Sequence, residues 1–186
     1  MASRLPWLDR LLVACRLLTP TEFSAKTFYT NLLHRFPWQA NTVEAIYMGE
    51  MLEHFTQEEA QHILHECYRV LQPGGRLRIR VPDHARFWQH YIEEYAHTAQ
   101  QPRASWSLDH TRWTTMYFRD ICIRRPRLWQ SMGHYHKWMY DEISLILLLE
   151  AAGFQHVERR ALHHSGIPQI EDVETRDDLI VEAIRP

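Results

Sequence analysis

The sequence predicts an α/β fold, and three observations carry that reading. Thr56-Gln57-Glu58-Glu59 is a capping box, in which the threonine hydroxyl accepts from a free backbone N–H and Glu59 reaches back; behind it Ala60, Ile63, Leu64, Cys67, Tyr68 and Leu71 form one helical stripe. Strand patterns flank this helix: 43–48 is β-branched and aromatic, and Leu77, Ile79 and Val81 alternate with Arg76, Arg78 and Arg80. A second helix over 141–152, acidic in its first turn and followed by Gly153, leads into two closing strand patterns at 154–161 and 178–184. A helix lodged between two strands acts as a crossover and makes them parallel neighbours. The order strand, helix, strand, insert, helix, strand, strand is that of an α/β domain.

The remaining elements follow in chain order. Leu5, Leu8, Leu11, Leu12, Cys15 and Leu18 recur at helical spacing and predict an N-terminal amphipathic helix, closed by Pro20. Residues 26–30 make a short strand candidate, and 34–41, with Pro37, a loop. Pro73-Gly74-Gly75 stops the 57–71 helix and turns the chain, and Pro82 ends the strand that follows. The stretch 84–140 is an aromatic and histidine-rich insert, with a helix expected over 85–98 and breaks at Pro102 and Pro126. The chain reads as one domain, 1–186: an N-terminal helix in 1–25, a core in 26–83 and 141–186, and the insert.

Composition narrows the function classes. With 186 residues, 45% hydrophobic and 24% charged, the chain can build a core without staples and is not of disordered type. The net charge is −2, so no general electrostatic case exists for nucleic acid or an anionic membrane. Cys15, Cys67 and Cys122 are odd in number and far apart, which argues against a disulfide framework. No span is long and apolar enough to cross a membrane. Leu12-Val13-Ala14-Cys15 looks like a lipoprotein cleavage site, but Asp9, Arg10 and Arg16 interrupt its apolar run. A reducing, cytoplasmic setting is expected. There are six glycines, none before Gly49, and no G-x-G, which excludes the usual Gly-rich phosphate or dinucleotide loop.

Two stretches carry a family resemblance. Ile46-Tyr47-Met48-Gly49-Glu50-Met51-Leu52-Glu53-His54-Phe55, followed by Cys67-Tyr68-Arg69-Val70-Leu71-Gln72-Pro73-Gly74-Gly75-Arg76-Leu77-Arg78-Ile79, resembles the "LEH … RVLKPGG" segment of class I S-adenosylmethionine-dependent methyltransferases of the type 11-like group. His136-Lys137-Trp138-Met139-Tyr140-Asp141-Glu142 through Leu149-Glu150-Ala151-Ala152-Gly153-Phe154 resembles that family's late helix, which ends in "aGF". The resemblance implies a Rossmann-like sheet in the order 3-2-1-4-5-7-6 with strand 7 antiparallel, S-adenosylmethionine as methyl donor, and a small-molecule or sugar-type acceptor. The chain departs from the family in lacking the Gly-rich loop after strand 1 and the acidic residue after strand 2. It therefore reads as N-terminally incomplete, with strands 1 and 2 missing and the sheet's family strand 4 left as an edge. A truncated reading frame, a rearranged sheet or a homodimer through that edge would each account for this. A methyltransferase-like binding or scaffold domain is the alternative function.

Site candidates follow from the resemblance. Asn31, after strand 3, and Glu50 and Met51, after strand 4, are the cofactor-binding candidates. His54 is a catalytic candidate, since imidazole can take a proton from a hydroxyl near neutral pH; capping of the turn is its structural alternative. Asp83, at the end of strand 5, is the second, with a helix N-cap as the alternative. Glu50, Glu53 and His54 resemble the E-x-x-E-H metal motif of small-RNA 2′-O-methyltransferases and ubiquinone-pathway O-methyltransferases, with His84, His110, His134 or His136 as a further ligand to a divalent metal. Metal-free members also carry "LEH", so no metal is the primary expectation. The cluster His134, Tyr135, His136, Lys137 and Trp138 suits a sugar, phosphate or aromatic acceptor, or an ordinary loop. Arg76, Arg78 and Arg80 suit an anionic substrate or a salt-bridged or solvated face, and Arg124, Arg125 and Arg127 are a short basic run.

Overall fold

The computed structural model describes residues 30–106 and 136–186. The expected helix over 5–18, nearly all of the 26–30 strand, Cys15, Cys122, His110, His134, Tyr135 and the basic run at 124–127 lie outside the described residues. The chain divides into two compact units, 1–34 and 35–186. Of the first, residues 30–34 are described; they form a turn in which Asn31 Oδ1 accepts from Leu33 N at 3.0 Å.

Among its described residues, the second unit is a four-stranded sheet with helices. In chain order it holds β1 (Val43–Gly49), α1 (Gln57–Val70), β2 (Leu71–Val81), α2 (His84–Ala99), α3 (Glu142–Ala151), β3 (Gln155–Arg159) and β4 (Leu179–Ile184). The strand order is β1-β2-β4-β3. The β1–β2 pair is parallel, as the crossover reading requires, and β4 is antiparallel to both β2 and β3. Among the described residues β1 pairs with β2 alone.

Local chemistry explains the boundaries. Both halves of the predicted capping box form: Glu59 N donates to Thr56 Oγ1 at 3.3 Å and Thr56 N to Glu59 Oε2 at 2.9 Å. The stripe Ala60, Ile63, Leu64, Cys67 and Val70 is buried on one face of α1. α3 is capped by Asp141, whose carboxylate accepts from Ser144 N at 2.7 Å. Gly153 ends it with φ +96°, where any Cβ would also meet the Tyr68 ring at 3.2 Å. The Pro73-Gly74-Gly75 turn is absorbed into β2, which starts at Leu71 rather than after the turn. The register steps from Val43↔Leu71 to Ala45↔Arg76, so the extra residues bulge out. The bulge persists because its backbone pairs with the chain end: Gly74 N donates to Arg185 O at 2.8 Å and Arg185 N to Gly75 O at 2.9 Å.

The two faces of β2 differ in kind. Leu77, Ile79 and Val81 are fully buried with Leu179, Val181 and Ala183 of β4. On the arginine face Arg78 and Arg80 are buried too, while Arg76 is half-buried. Arg78 has no exposed surface and uses all five of its N–H donors: two on Glu174 (2.8 and 2.6 Å), one on Glu182 (3.2 Å), and one each on the Ala161 and His164 carbonyls (3.0 Å both). Arg76 reaches Glu182 at 2.9 Å, and Arg80 lies 3.6 Å from both Glu50 and Asp178. Of the readings open from sequence, the salt-bridged face is the one observed, with carboxylates supplied by β4 and the segment before it.

α2 is different again. The expected helix is present and capped by Asp83, but no residue of it is buried among the described ones. Its face carries aromatic contacts from Phe87 and Trp88 through Tyr91 to Tyr95. No described helix is long and apolar enough to cross a membrane.

Removing the guanidinium in Arg78→Ala leaves Glu174 buried without its arginine and Glu182 with Arg76 alone. We expect a loss of about 3–5 kcal/mol in urea unfolding, with little recovery in Arg78→Lys, which cannot span the five acceptors. Glu66 accepts from Arg69 Nε and Nη2 (2.8 and 2.7 Å) and from Phe36 N (2.7 Å), tying the 36–42 loop to α1. These bonds hold its carboxyl down to about 2, from an ordinary 4.5. Its contribution is complete above pH 4.5 and fades as pH falls toward 2. Glu66→Gln should flatten that part of an acid-unfolding profile.

Candidate functional site

The ends of β1 and β2 meet where an open α/β sheet binds ligands, beyond the carboxyl ends of its parallel strands. β1 closes at Gly49. Glu50 then takes a left-handed turn (φ +51°), with its N–H donating to Arg80 O at 2.8 Å. The reversal feeds a 3₁₀ turn, Leu52–His54, whose Leu52 and Glu53 are driven inside: 0% and 2% exposed. The Glu53 carbonyl accepts from Lys137 N at 2.7 Å and from Trp138 N at 3.1 Å. Residues 136–140 thus form a strap across the turn. Lys137 Nζ pins the strap to the α1 capping box through Glu59 Oε2 at 2.8 Å. Its far end joins Asp83 in a parallel bridge, with His84 N donating to Tyr140 O at 3.0 Å.

This construction holds a carboxylate in a costly place. Neither oxygen of Glu53 accepts a hydrogen bond from another residue, and both are buried. Oε1 lies 4.0 Å from His54 Nε2 and 3.9 Å from His136 Nε2. The two imidazoles stand edge to face with centroids 5.0 Å apart. Burial pushes the Glu53 carboxyl up to about 7; Glu50 and Asp178 push the same way, and its own backbone N–H and Arg80 oppose them. Tyr140, 1% exposed, has a hydroxyl without a hydrogen bond. Burial, with Glu53 adding, raises that phenol well above its ordinary value.

The residues singled out from sequence separate into groups. His54 and Glu53 come together with His136 of the polar-aromatic stretch, and the ligating atoms of these three lie within 4.8 Å of one another. Glu50 is not in that group; its carboxylate pairs with Arg176 at 2.9 Å and Arg80 at 3.6 Å. Met51, half-buried, precedes the turn. Asp83 caps α2 through Arg86 N at 3.1 Å and pairs with Arg159 at 3.0 Å. Trp88 Nε1 bonds His84 Nε2 at 2.5 Å, on α2. Asn31 belongs to the N-terminal unit. Tyr140 and the strap's backbone bonds were not foreseen. The nearest sequence signal was the density of His136-Lys137-Trp138-Met139-Tyr140 just ahead of the α3 cap.

Open-sheet topology defines the class, an α/β fold, and the buried polar cluster lies at the strand ends, the region where such sheets bind ligands. Comparison with known proteins narrows this. A family model described as a methyltransferase domain matches residues 12–79. No curated protein matches the chain. Several solved structures resemble it at low identity. An S-adenosylmethionine-dependent methyltransferase, possible histamine N-methyltransferase, from Thermotoga maritima is 14% identical, with 84% of this chain and 62% of that one covered and a TM-score of 0.46. A SAM-dependent methyltransferase from Archaeoglobus fulgidus is 11% identical, over 84% and 66%, at 0.47. The S-adenosylmethionine-dependent methyltransferase SibL, in its apo form, is 16% identical, over 98% and 40%, at 0.49. The chain thus spans 40 to 66% of the lengths of these three proteins. The domain match and the observed sheet support the resemblance to class I methyltransferases: β1-β2-β4-β3, with β4 antiparallel, is the 4-5-7-6 portion of the expected order.

If the ionised Glu53 carboxylate is a net cost, Glu53→Gln should stabilise the folded chain. Folding favours the protonated acid, so wild-type stability falls as pH rises from about 4.5 to about 7. The variant should gain about 1–3 kcal/mol at pH 8 and almost nothing at pH 5, read from urea unfolding in chelated buffer.

Proposed function

We propose that this chain serves S-adenosylmethionine-dependent methyl transfer, and that the strand-end cluster around Glu53 is its acceptor side. The observation that carries the reading is the buried Glu53 carboxylate, held without a hydrogen bond from another residue against two imidazoles at the carboxyl ends of the parallel strands. Such groups are expensive to keep and cluster at functional sites. A small hydroxylated acceptor, of sugar type, suits the surroundings. Trp138, 38% exposed, can stack on a ring, and Lys137 and His136 stand beside it.

The residues fit the donor only in part. Glu50 follows β1 with 37% of its side chain exposed, so its carboxylate can meet a ligand while keeping Arg176, itself 69% exposed. No G-x-G stands in the sequence to cradle a methionine moiety. S-adenosylmethionine, when bound, supplies a methyl group on a sulfonium. The chain's own part is to place the acceptor in line and take its proton. In the metal-free protein His54 Nε2 is the group to receive it, with Glu53 beside it to balance the imidazolium charge. Asp83 is a positioning residue, fixing the start of α2 and the strap through its bridge with Tyr140.

The occupied state of Glu50 and the missing cradle favour a second reading, a methyltransferase-like module that binds a partner without transfer. Calorimetric titration with S-adenosylhomocysteine separates them. Under the first reading binding is micromolar, about −8 kcal/mol, and labelled methyl groups pass to at least one of a panel of sugars and phenols. His54→Gln then lowers transfer about 10²–10⁴-fold with the affinity unchanged. A folded, monodisperse chain with no binding at millimolar ligand rules out transfer by this chain and leaves the module reading.

A further inference from the structure

We infer that Glu53, His54 and His136 form a binding site for a single transition-metal-class dication, of the Zn²⁺, Co²⁺, Mn²⁺ or Fe²⁺ kind. The inference stands on the geometry of these three side chains and does not rest on methyl transfer. The donor set is two imidazoles and one carboxylate. All three ligating atoms converge within 4.8 Å. In a four-coordinate site with bonds near 2.0–2.1 Å, ligands lie about 3.3 Å apart, so closing the site takes side-chain rotations of about an ångström rather than a change of fold. Imidazole-rich sets prefer borderline metals, whereas Mg²⁺ and Ca²⁺ want oxygen ligands. Glu50, the second carboxylate that would favour Mg²⁺, is held away by Arg176 and Arg80.

Two further observations point to a ligand here rather than to a chance cluster. The first is the state of Glu53. A buried carboxylate ordinarily gathers N–H or O–H donors, yet both of its oxygens are buried and accept no hydrogen bond from another residue. A cation supplies the compensation that the protein does not. The second is the way the ligands are held. His54 and Glu53 sit on one 3₁₀ turn, while His136 arrives on a strap clamped to the same turn by two backbone bonds to the Glu53 carbonyl. Lys137 fixes the strap again through Glu59. The site is therefore assembled from both sides before any ion arrives. The two histidines keep 22% and 24% of their side chains exposed, which leaves an entry path and room for water or an acceptor oxygen as a further ligand. In the metal-loaded protein His54 is a ligand and is not the base.

The test is uptake of Co²⁺ and Zn²⁺ by the chelator-treated full chain, followed by the cobalt absorption spectrum and by calorimetry. Three variants accompany the wild type: His54→Gln, His136→Gln and Glu53→Gln. The chain has 13 histidines, so stray binding is removed by comparison with these variants. The partly exposed histidines can be changed without opening the core, and circular dichroism with thermal melting checks that each variant is folded. We expect one ion per chain, a tetrahedral or five-coordinate cobalt spectrum, and at least a tenfold loss of affinity in every variant. Absence of uptake up to millimolar ion overturns the proposal, as does binding unchanged in the variants. Loss in only one histidine variant overturns the three-ligand set. Tighter binding of Mg²⁺ than of Co²⁺ or Zn²⁺ overturns the metal class.

Discussion

The second unit is organised around one guanidinium. Arg78 lies in the middle of β2 with no surface exposed, and it spends five N–H donors on two carboxylates and two carbonyls. Glu182 comes from the next strand, while Glu174 and the carbonyls of Ala161 and His164 come from the long segment between β3 and β4. A planar fork with five donors can satisfy such a set, and a lysine ammonium cannot. The consequence is positional. The β3–β4 segment is drawn over one sheet face, which carries Asp178 and Arg176 toward the end of β1, where they meet Arg80 and Glu50. Glu50 is thereby engaged, and the carboxylate left beside the two imidazoles is Glu53 alone.

The two buried carboxylate sites illustrate opposite solutions to one problem. Glu174 and Glu182 are compensated by arginines, so their burial specifies how a loop lies on a sheet. Glu53 is left without donors and sits among groups that can hold a ligand or move a proton. Proteins rarely keep the second arrangement for stability. The surrounding construction is nonetheless rigid: an apolar neighbour, Leu52, with no exposure, a tight 3₁₀ turn, and a strap fixed by backbone and lysine contacts. That combination of an uncompensated group in a well-held frame is what makes the strand end the candidate site.

Much of the frame was legible because it is local. The capping box at Thr56–Glu59, the stripe from Ala60 to Val70 and the Asp141 and Gly153 boundaries of α3 each depend on residues within one or two turns. The parallel pairing of β1 and β2 followed from the crossover rule. Other features were hidden because their causes are distant in sequence. The Pro73-Gly74-Gly75 turn joins a strand only because Arg185, more than a hundred residues later, pairs with it. The arginine alternation of β2 looks the same whether that face is wet or dry, and only Glu174 and Glu182 decide. Asp83 was legible as a cap; its tie to Arg159 and to Tyr140 across the strap was not.

By itself, the sequence determined the α/β order, the helix limits, the parallel pair and the resemblance of its short motifs to those of class I methyltransferases, because periodicity, capping and short motifs are written in neighbouring residues. It also determined that no G-x-G loop stands in this chain. The tertiary structure alone decided which of the candidate residues share a site. Glu50, Glu53 and His54 are close in sequence, yet a left-handed residue and a 3₁₀ turn send Glu50 to the arginines and Glu53 inward. His136 joins the latter from more than eighty residues away. Side-chain direction after a turn, and the long-range bonds that hold a strap, are set by packing and backbone hydrogen bonding, which no spacing rule encodes.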